Sequence, residues 1–221
     1  SVPTAAGALY EIDTRLRQQG IQGPLAVSLD SFARYQREDA WTWEHMALTR
    51  ARPLFGPPAA QVALQRIIDE ILNQSRDRAK LRDEVLKMRN EIAANKLPAG
   101  PLDAKLQRGG LIDCEFIVHF LQLRERIGLN PDLRVAIAEL TSAGLLPVEF
   151  GSHHDLLTRL LVAARLLAPD GQPPPEGAQQ VLAAACSARS FATLSRKVVK
   201  ARHDVARTWA ETFGQQLEDR T

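Results

Sequence analysis

Cysteine is scarce, aromatics are few and no charge of one sign dominates. The two cysteines, Cys114 and Cys186, lie 72 positions apart in apolar helical surroundings. That spacing excludes a disulfide framework and a cysteine-based zinc site, and it fits buried free thiols in a reducing cytoplasm. Aromatic residues make up 5% of the chain, so aliphatic side chains must build the core. The 28 Lys and Arg nearly balance the 26 Asp and Glu, leaving a net charge of +2. No global field therefore points to nucleic acid or an anionic membrane surface as a partner. No apolar run approaches the roughly 20 residues of a membrane span, and no signal peptide opens the chain. Period-two patterning is also rare. It is convincing only over residues 9–17, where Leu9, Glu11, Asp13, Arg15 and Arg17 share a face and Tyr10, Ile12 and Leu16 take the other. Residues 25–29 offer a second short strand.

What is present is helix. With 45% hydrophobic and 24% charged residues over 221 positions, the chain can fill one substantial domain or two small ones. The spacing predicts helices over about 30–52, 59–72, 77–95, 111–127, 131–143, 149–167, 178–188 and 191–213. Asp30 or Ser28 can cap the first, and Pro53 with Gly56-Pro57-Pro58 ends it. Leu81, Val85, Met88 and Ile92 form the seam of the third. The fourth is apolar nearly all round and so central. The proline-rich stretch APDGQPPPEG is a loop with scope for mobility. The expected architecture is a short β piece followed by an antiparallel bundle of seven or eight helices. A strand carrying one carboxylate so near residue 1 points to a segment of a larger protein.

Several residues are equipped for chemistry. Asp13, on a strand face with Glu11 and Arg15, is suited to a divalent cation, although such a site needs two or three carboxylates. A salt bridge to Arg15 or Arg17 is the alternative reading. Arg15, Arg17, Arg50 and Arg52 carry forks that match phosphate oxygens, or else pair with Glu11, Asp39 or Glu44. Trp41 and Trp43 project about 200° apart on a helix, which fits core packing or base stacking. His45 lacks a second ligand at metal spacing. Asp113 falls in the first turn of a helix entered through Gly109-Gly110, where the helix dipole favours a carboxylate. Glu115, His119 and Gln122 run a polar stripe along that apolar helix, and Lys105 or an arginine of the first helix could partner it. His153-His154 and the basic patch at 196–202 read as surface.

At these residues the chain resembles the glutamine-synthetase adenylyltransferase family. LYEIDTRLR, GPL, YQREDAWTWEH and ALTRAR are similar to its adenylylating, carboxy-terminal half. WTWEH favours that half over the de-adenylylating one. Asp103, Lys105, Gly109-Gly110, Asp113 and Glu115-Phe116-Ile117 match a second family block. The likeness covers residues 9–123. Beyond 130 only helical pattern and length support it. Gln18 stands where the family usually has proline, Cys114 replaces a typical isoleucine and His119 a typical glutamine.

The resemblance implies a polymerase-β-like nucleotidyltransferase domain, ending here with residues 1–29, and the α-helical domain that follows it at 30–221. It implies transfer of AMP from ATP to a tyrosine of glutamine synthetase with Mg²⁺, tuned by a PII signal protein and glutamine, in the cytoplasm. Asp13 matches the third metal carboxylate. The other two lie in a Gly-Ser-x-x-Asp motif upstream in the family. No such motif precedes Asp13 here, the one matching string, Gly151-Ser152-His153-His154-Asp155, falling far downstream in an expected helix, so the chain alone is expected to be inactive. Arg15 and Arg17 would order the strand or meet phosphates. Arg50, Arg52 and Lys105 would line a cleft, with Asp113 and Glu115 holding those cations and Trp43 and Glu44 in support. The alternative is a non-catalytic helical docking module for glutamine synthetase or the PII protein.

Overall fold

The computed structural model describes residues 3–4, 7–8 and 23–217. These form nine helices: α1 (Leu29–Glu38), α2 (Thr42–Leu48), α3 (Pro58–Leu72), α4 (Arg78–Asn95), α5 (Leu111–Glu125), α6 (Leu133–Ser142), α7 (Phe150–Leu167), α8 (Glu176–Ala185) and α9 (Phe191–Phe213). Ahead of them, β1 (Pro3–Thr4) pairs antiparallel with β2 (Gly7–Ala8), Pro3 opposite Ala8 and Thr4 opposite Gly7. Two residues a strand is far below the usual strand length of about 5–6, so this ladder by itself does not support the expected β piece. The expected strand over 9–17 lies outside the described residues. The second, at 25–29, does not form: residues 24–28 are irregular, and Ser28 accepts a hydrogen bond from the Ser31 N–H at 3.2 Å to start α1.

The helices organise around α5. Twelve of its fifteen residues are buried, and it packs against α2, α4, α6, α7 and α9. A helix apolar on all sides has no solvent face to offer, so its neighbours must enclose it. α1, α2, α3 and α4 pack on one another ahead of it, and α6, α7, α8 and α9 do so behind it. The long α9 joins the two parts through Phe213, whose ring lies 4.6 Å from Phe120 of α5 and 4.2 Å from Trp209. Cys114 and Cys186 are free and buried.

Polar side chains fix how α4, α5 and α9 meet. Asp113, with no exposed surface, accepts from Arg89 of α4 through Nε at 2.5 Å and Nη2 at 3.3 Å. Its second oxygen also takes the Gly109 N–H at 2.7 Å. Gly109 has φ +72°, and a Cβ there would stand 2.0 Å from the Arg202 carbonyl oxygen of α9. Glycine alone permits that approach. Arg202 in turn donates to the Arg108 carbonyl at 3.0 Å and to Gln107 Oε1 at 2.8 Å.

The expected boundaries fall within a few residues for α3 to α7 and for α9. Elsewhere the structure departs from them for physical reasons. The single helix expected over 30–52 is two, because Trp41 is extended and its N–H is taken by the Glu44 carboxylate at 3.0 Å. α8 begins earlier, after Pro175, and ends earlier, before Ser187 turns left-handed at φ +54°. On α4 the seam runs Leu81, Val85, Arg89 rather than through Met88, which is only partly buried. The proline-rich loop is tied down: the Gly171 carbonyl accepts from the Leu102 N–H at 2.9 Å.

Breaking a buried ion pair leaves an uncompensated charge. Arg89→Ala is expected to cost about 3–5 kcal/mol in urea unfolding. Arg37→Ala, which removes an exposed pair with Glu70, should cost under about 1 kcal/mol.

Candidate functional site

The matched motifs converge on α2 and its surroundings. Glu44, 8% exposed, accepts from the Tyr35 hydroxyl with both oxygens, at 3.1 and 3.0 Å, and from the Trp41 N–H. It is the clasp that turns α1 into α2. His45 Nε2 meets the Gln36 carbonyl at 3.0 Å, and burial holds this histidine below its ordinary pKa. Both groups of the WTWEH motif thus set the angle between the two helices.

The tryptophans point outward. Trp41 is 69% exposed and Trp43 36%, so the core role weighed for them in the sequence is not taken; Trp209 fills that role. They line a cleft of about 690 Å³ between α2 and α4, floored by Leu81 and Met88 and edged by Lys80, Glu84 and Lys87. Thr42 closes one side by hydrogen bonding Glu84.

At the other end of α2, Arg50 lies 3.7 Å from Glu115 of α5, both partly exposed. This is the pairing the second block suggested, and the loose, solvated geometry leaves the guanidinium open to another anion. Arg52 and Lys105 are exposed. Asp113 does not hold any of these three cations; it is committed to Arg89. Asp103, which opens the second block, organises its loop by accepting from the Ala99, Lys105 and Leu106 N–H groups at 2.9–3.0 Å. Asp13, Arg15 and Arg17 lie outside the described residues. Among the described residues no group of three His, Cys, Asp or Glu side chains is placed to hold a metal ion.

Behind α2 the polar stripe of α5 finds its partners. His119 Nδ1 is 2.9 Å from both Thr49 Oγ1 and Gln122 Oε1. The Thr49 hydroxyl donates to the Met46 carbonyl at 2.7 Å, and Gln122 Nε2 donates to the Gly128 carbonyl at 2.5 Å. Both oxygens facing the ring are thus acceptors, so Nδ1 carries the proton. Nε2 is buried without a partner. Burial, opposed weakly by Gln122 and aided by the Arg50 charge, lowers the His119 pKa from 6.5 to about 4.

Arg89 is the principal residue the sequence reading missed. Its signal was a charge four residues beyond Val85, on the buried stripe of an otherwise clean amphipathic helix.

Fold and site together define a helical bundle whose matched motifs, among the described residues, brace one exposed face. The comparisons place it more closely. A family profile described as glutamate–ammonia ligase adenylyltransferase matches residues 1–67. A bifunctional glutamine synthetase adenylyltransferase/adenylyl-removing enzyme from Bradyrhizobium sp. (strain BTAi1) is 36% identical over 222 residues, 93% of this chain and 22% of that protein. Enzymes of the same name from Brucella suis and Neisseria meningitidis are 48% and 49% identical over 131 and 123 residues, covering 59% and 56% of this chain and 13% and 14% of those proteins. The chain belongs to the glutamine-synthetase adenylyltransferase family, and it spans between about an eighth and a fifth of the length of these relatives. The Bradyrhizobium match carries the likeness past residue 130, where the sequence reading had only pattern to go on. No described helix is long and apolar enough to cross a membrane.

A histidine held neutral by burial ties stability to pH. The unfolded chain binds a proton near 6.5 and the folded chain only near 4. Stability is therefore full above about 6.5 and falls as pH drops toward 4, by about 3 kcal/mol from this group. Urea midpoints between pH 7 and 4 should show the loss. His119→Gln, which keeps hydrogen-bonding capacity without a titrating ring, should flatten the curve; an unchanged slope would reject the assignment.

Proposed function

We propose that this chain serves an enzyme that transfers AMP from ATP to a tyrosine of glutamine synthetase, and so regulates nitrogen assimilation. Residues 1–29 would be the last strands of its nucleotidyltransferase domain and 30–221 the helical domain beyond. The observation that carries the reading is the 36% identity sustained over 93% of the chain with a bifunctional enzyme of that name.

In this reading Asp13 is one of the carboxylates for Mg²⁺. Among the described residues no helical group is placed to hold the ion. What Mg²⁺ supplies when bound is charge neutralisation on the phosphates. The helical residues act by position. Arg50, released from its loose pair with Glu115, meets a phosphate oxygen, with Arg52 and Lys105 adding positive potential and Arg15 and Arg17 ordering the strand. Glu44 holds α2 in place for this, with Trp43 facing the cleft beside it, and Asp113 fixes α5 beneath it. The chain alone, with no Gly-Ser-x-x-Asp motif ahead of Asp13 and its one such string, at 151–155, lying within α7, transfers no AMP.

A docking role toward glutamine synthetase or a PII signal protein is the second reading. Leu54 and Phe55, just after α2, are 70% and 89% exposed, and apolar residues so placed suit a protein contact.

The full-length enzyme separates the two. Asp13→Asn should abolish AMP transfer from ATP while leaving glutamine synthetase binding intact. Arg50→Gln should lower kcat/KM by roughly tenfold or more. Turnover surviving Asp13→Asn would remove the metal role. Loss of binding in Leu54→Ser/Phe55→Ser with residual chemistry unchanged would support docking.

A further inference from the structure

A second cleft, of about 390 Å³, opens between α7 and α9 at the C-terminal end of α8. The candidate site does not use it. Arg159 reaches it from α7, and Lys197 and Lys200 reach it from α9. The only carboxylate on its lining is Asp155, which lies 3.4 Å from Arg134. Asp204, next to the cleft, takes Lys200 at 2.5 Å, Arg207 at 2.8 Å and His153 Nε2 at 3.1 Å. Lys200 is thus paired with Asp204, while Arg159 and Lys197 face one lining carboxylate that has another cationic partner.

Arg159 and Lys197 are also held apart from neutralising groups. Arg159 Nη1 donates to Ser187 Oγ at 2.8 Å, and Lys197 Nζ lies 3.4 Å from the Ser187 carbonyl. Among the described residues neither Arg159 nor Lys197 has a carboxylate within ion-pair distance. Ser187 holds both in place from a left-handed turn, φ +54°. That geometry leaves further guanidinium N–H donors of Arg159 for an oxyanion. Lys197 and Lys200 stand three apart on α9, and Asp204 offsets the charge of Lys200 but not that of Lys197. Burial holds His153 below its ordinary pKa, so the lysines and the arginine set the charge at neutral pH.

We propose that this cleft binds a small phosphate-bearing anion, with Arg159 and Lys197 as its principal ligands and Lys200 closing the rim. A fork and two point charges around a pocket of this size suit the three oxygens of a phosphate group. The hydroxyl of Ser187, which accepts from Arg159, supplies a neutral donor beside them. The site lies on elements remote in sequence from the α2 motifs and does not depend on the proposed function.

The test is an amide NMR titration of the 221-residue chain with inorganic phosphate, and separately with AMP, against chloride at matched ionic strength. Saturable shifts centred on Ser187, Arg159 and Lys197 are expected with phosphate and absent with chloride. The double variant Arg159→Gln/Lys197→Gln should weaken binding by about tenfold or more with unchanged thermal stability, and Arg134→Gln should not weaken it. Tighter binding of AMP than of phosphate would assign the ligand as a nucleotide; equal binding would assign free phosphate. Shifts reproduced by chloride, or affinity retained in the double variant, would overturn the proposal.

Discussion

The contact between Arg89 and Asp113 is the constraint on which the rest of the bundle depends. A carboxylate with no solvent exposure is costly unless its lone pairs are filled. Arg89 fills two directions from α4 and the Gly109 N–H a third. Because that N–H belongs to the loop entering α5, the pair fixes the start of the central helix as well as the distance to α4. The same loop touches α9 so closely that only glycine fits. Three helices that share few sequence neighbours are thereby registered at one point.

From that point the positions of the candidate site follow. α5, held at its first turn, presents Glu115 toward Arg50 and His119 toward Thr49 on successive turns of one face. α2 lies across that face and is angled by Glu44, whose carboxylate serves Tyr35 and Trp41 together. Buried carboxylates therefore do structural work twice over, and the exposed arginine and tryptophans are displayed by them. The chemistry proposed for the family would be carried by groups at the edge of this frame, not by those within it.

Much of this was legible in the residues. α9 could be bounded from its apolar period and flanks, and α5 could be recognised as central because it was apolar nearly all round. The two motif blocks identified the family. Less legible were the break at Trp41, which depends on a side chain three residues on capturing a backbone N–H, and the outward turn of both tryptophans. A periodic pattern scores an aromatic residue as core, and it cannot tell that α4 stops short of covering α2. The role of Arg89 was hidden for the same reason: a lone charge on an apolar stripe reads as noise until its partner, twenty-four residues away, is seen.

The sequence by itself determined the helical class, most element boundaries and the family, since these rest on local periodicity, caps and motif order. Only the tertiary structure decided which charges are buried in pairs and which stand open. Pairing across α4, α5 and α9 depends on distances between segments remote in the chain, and no local pattern records those distances.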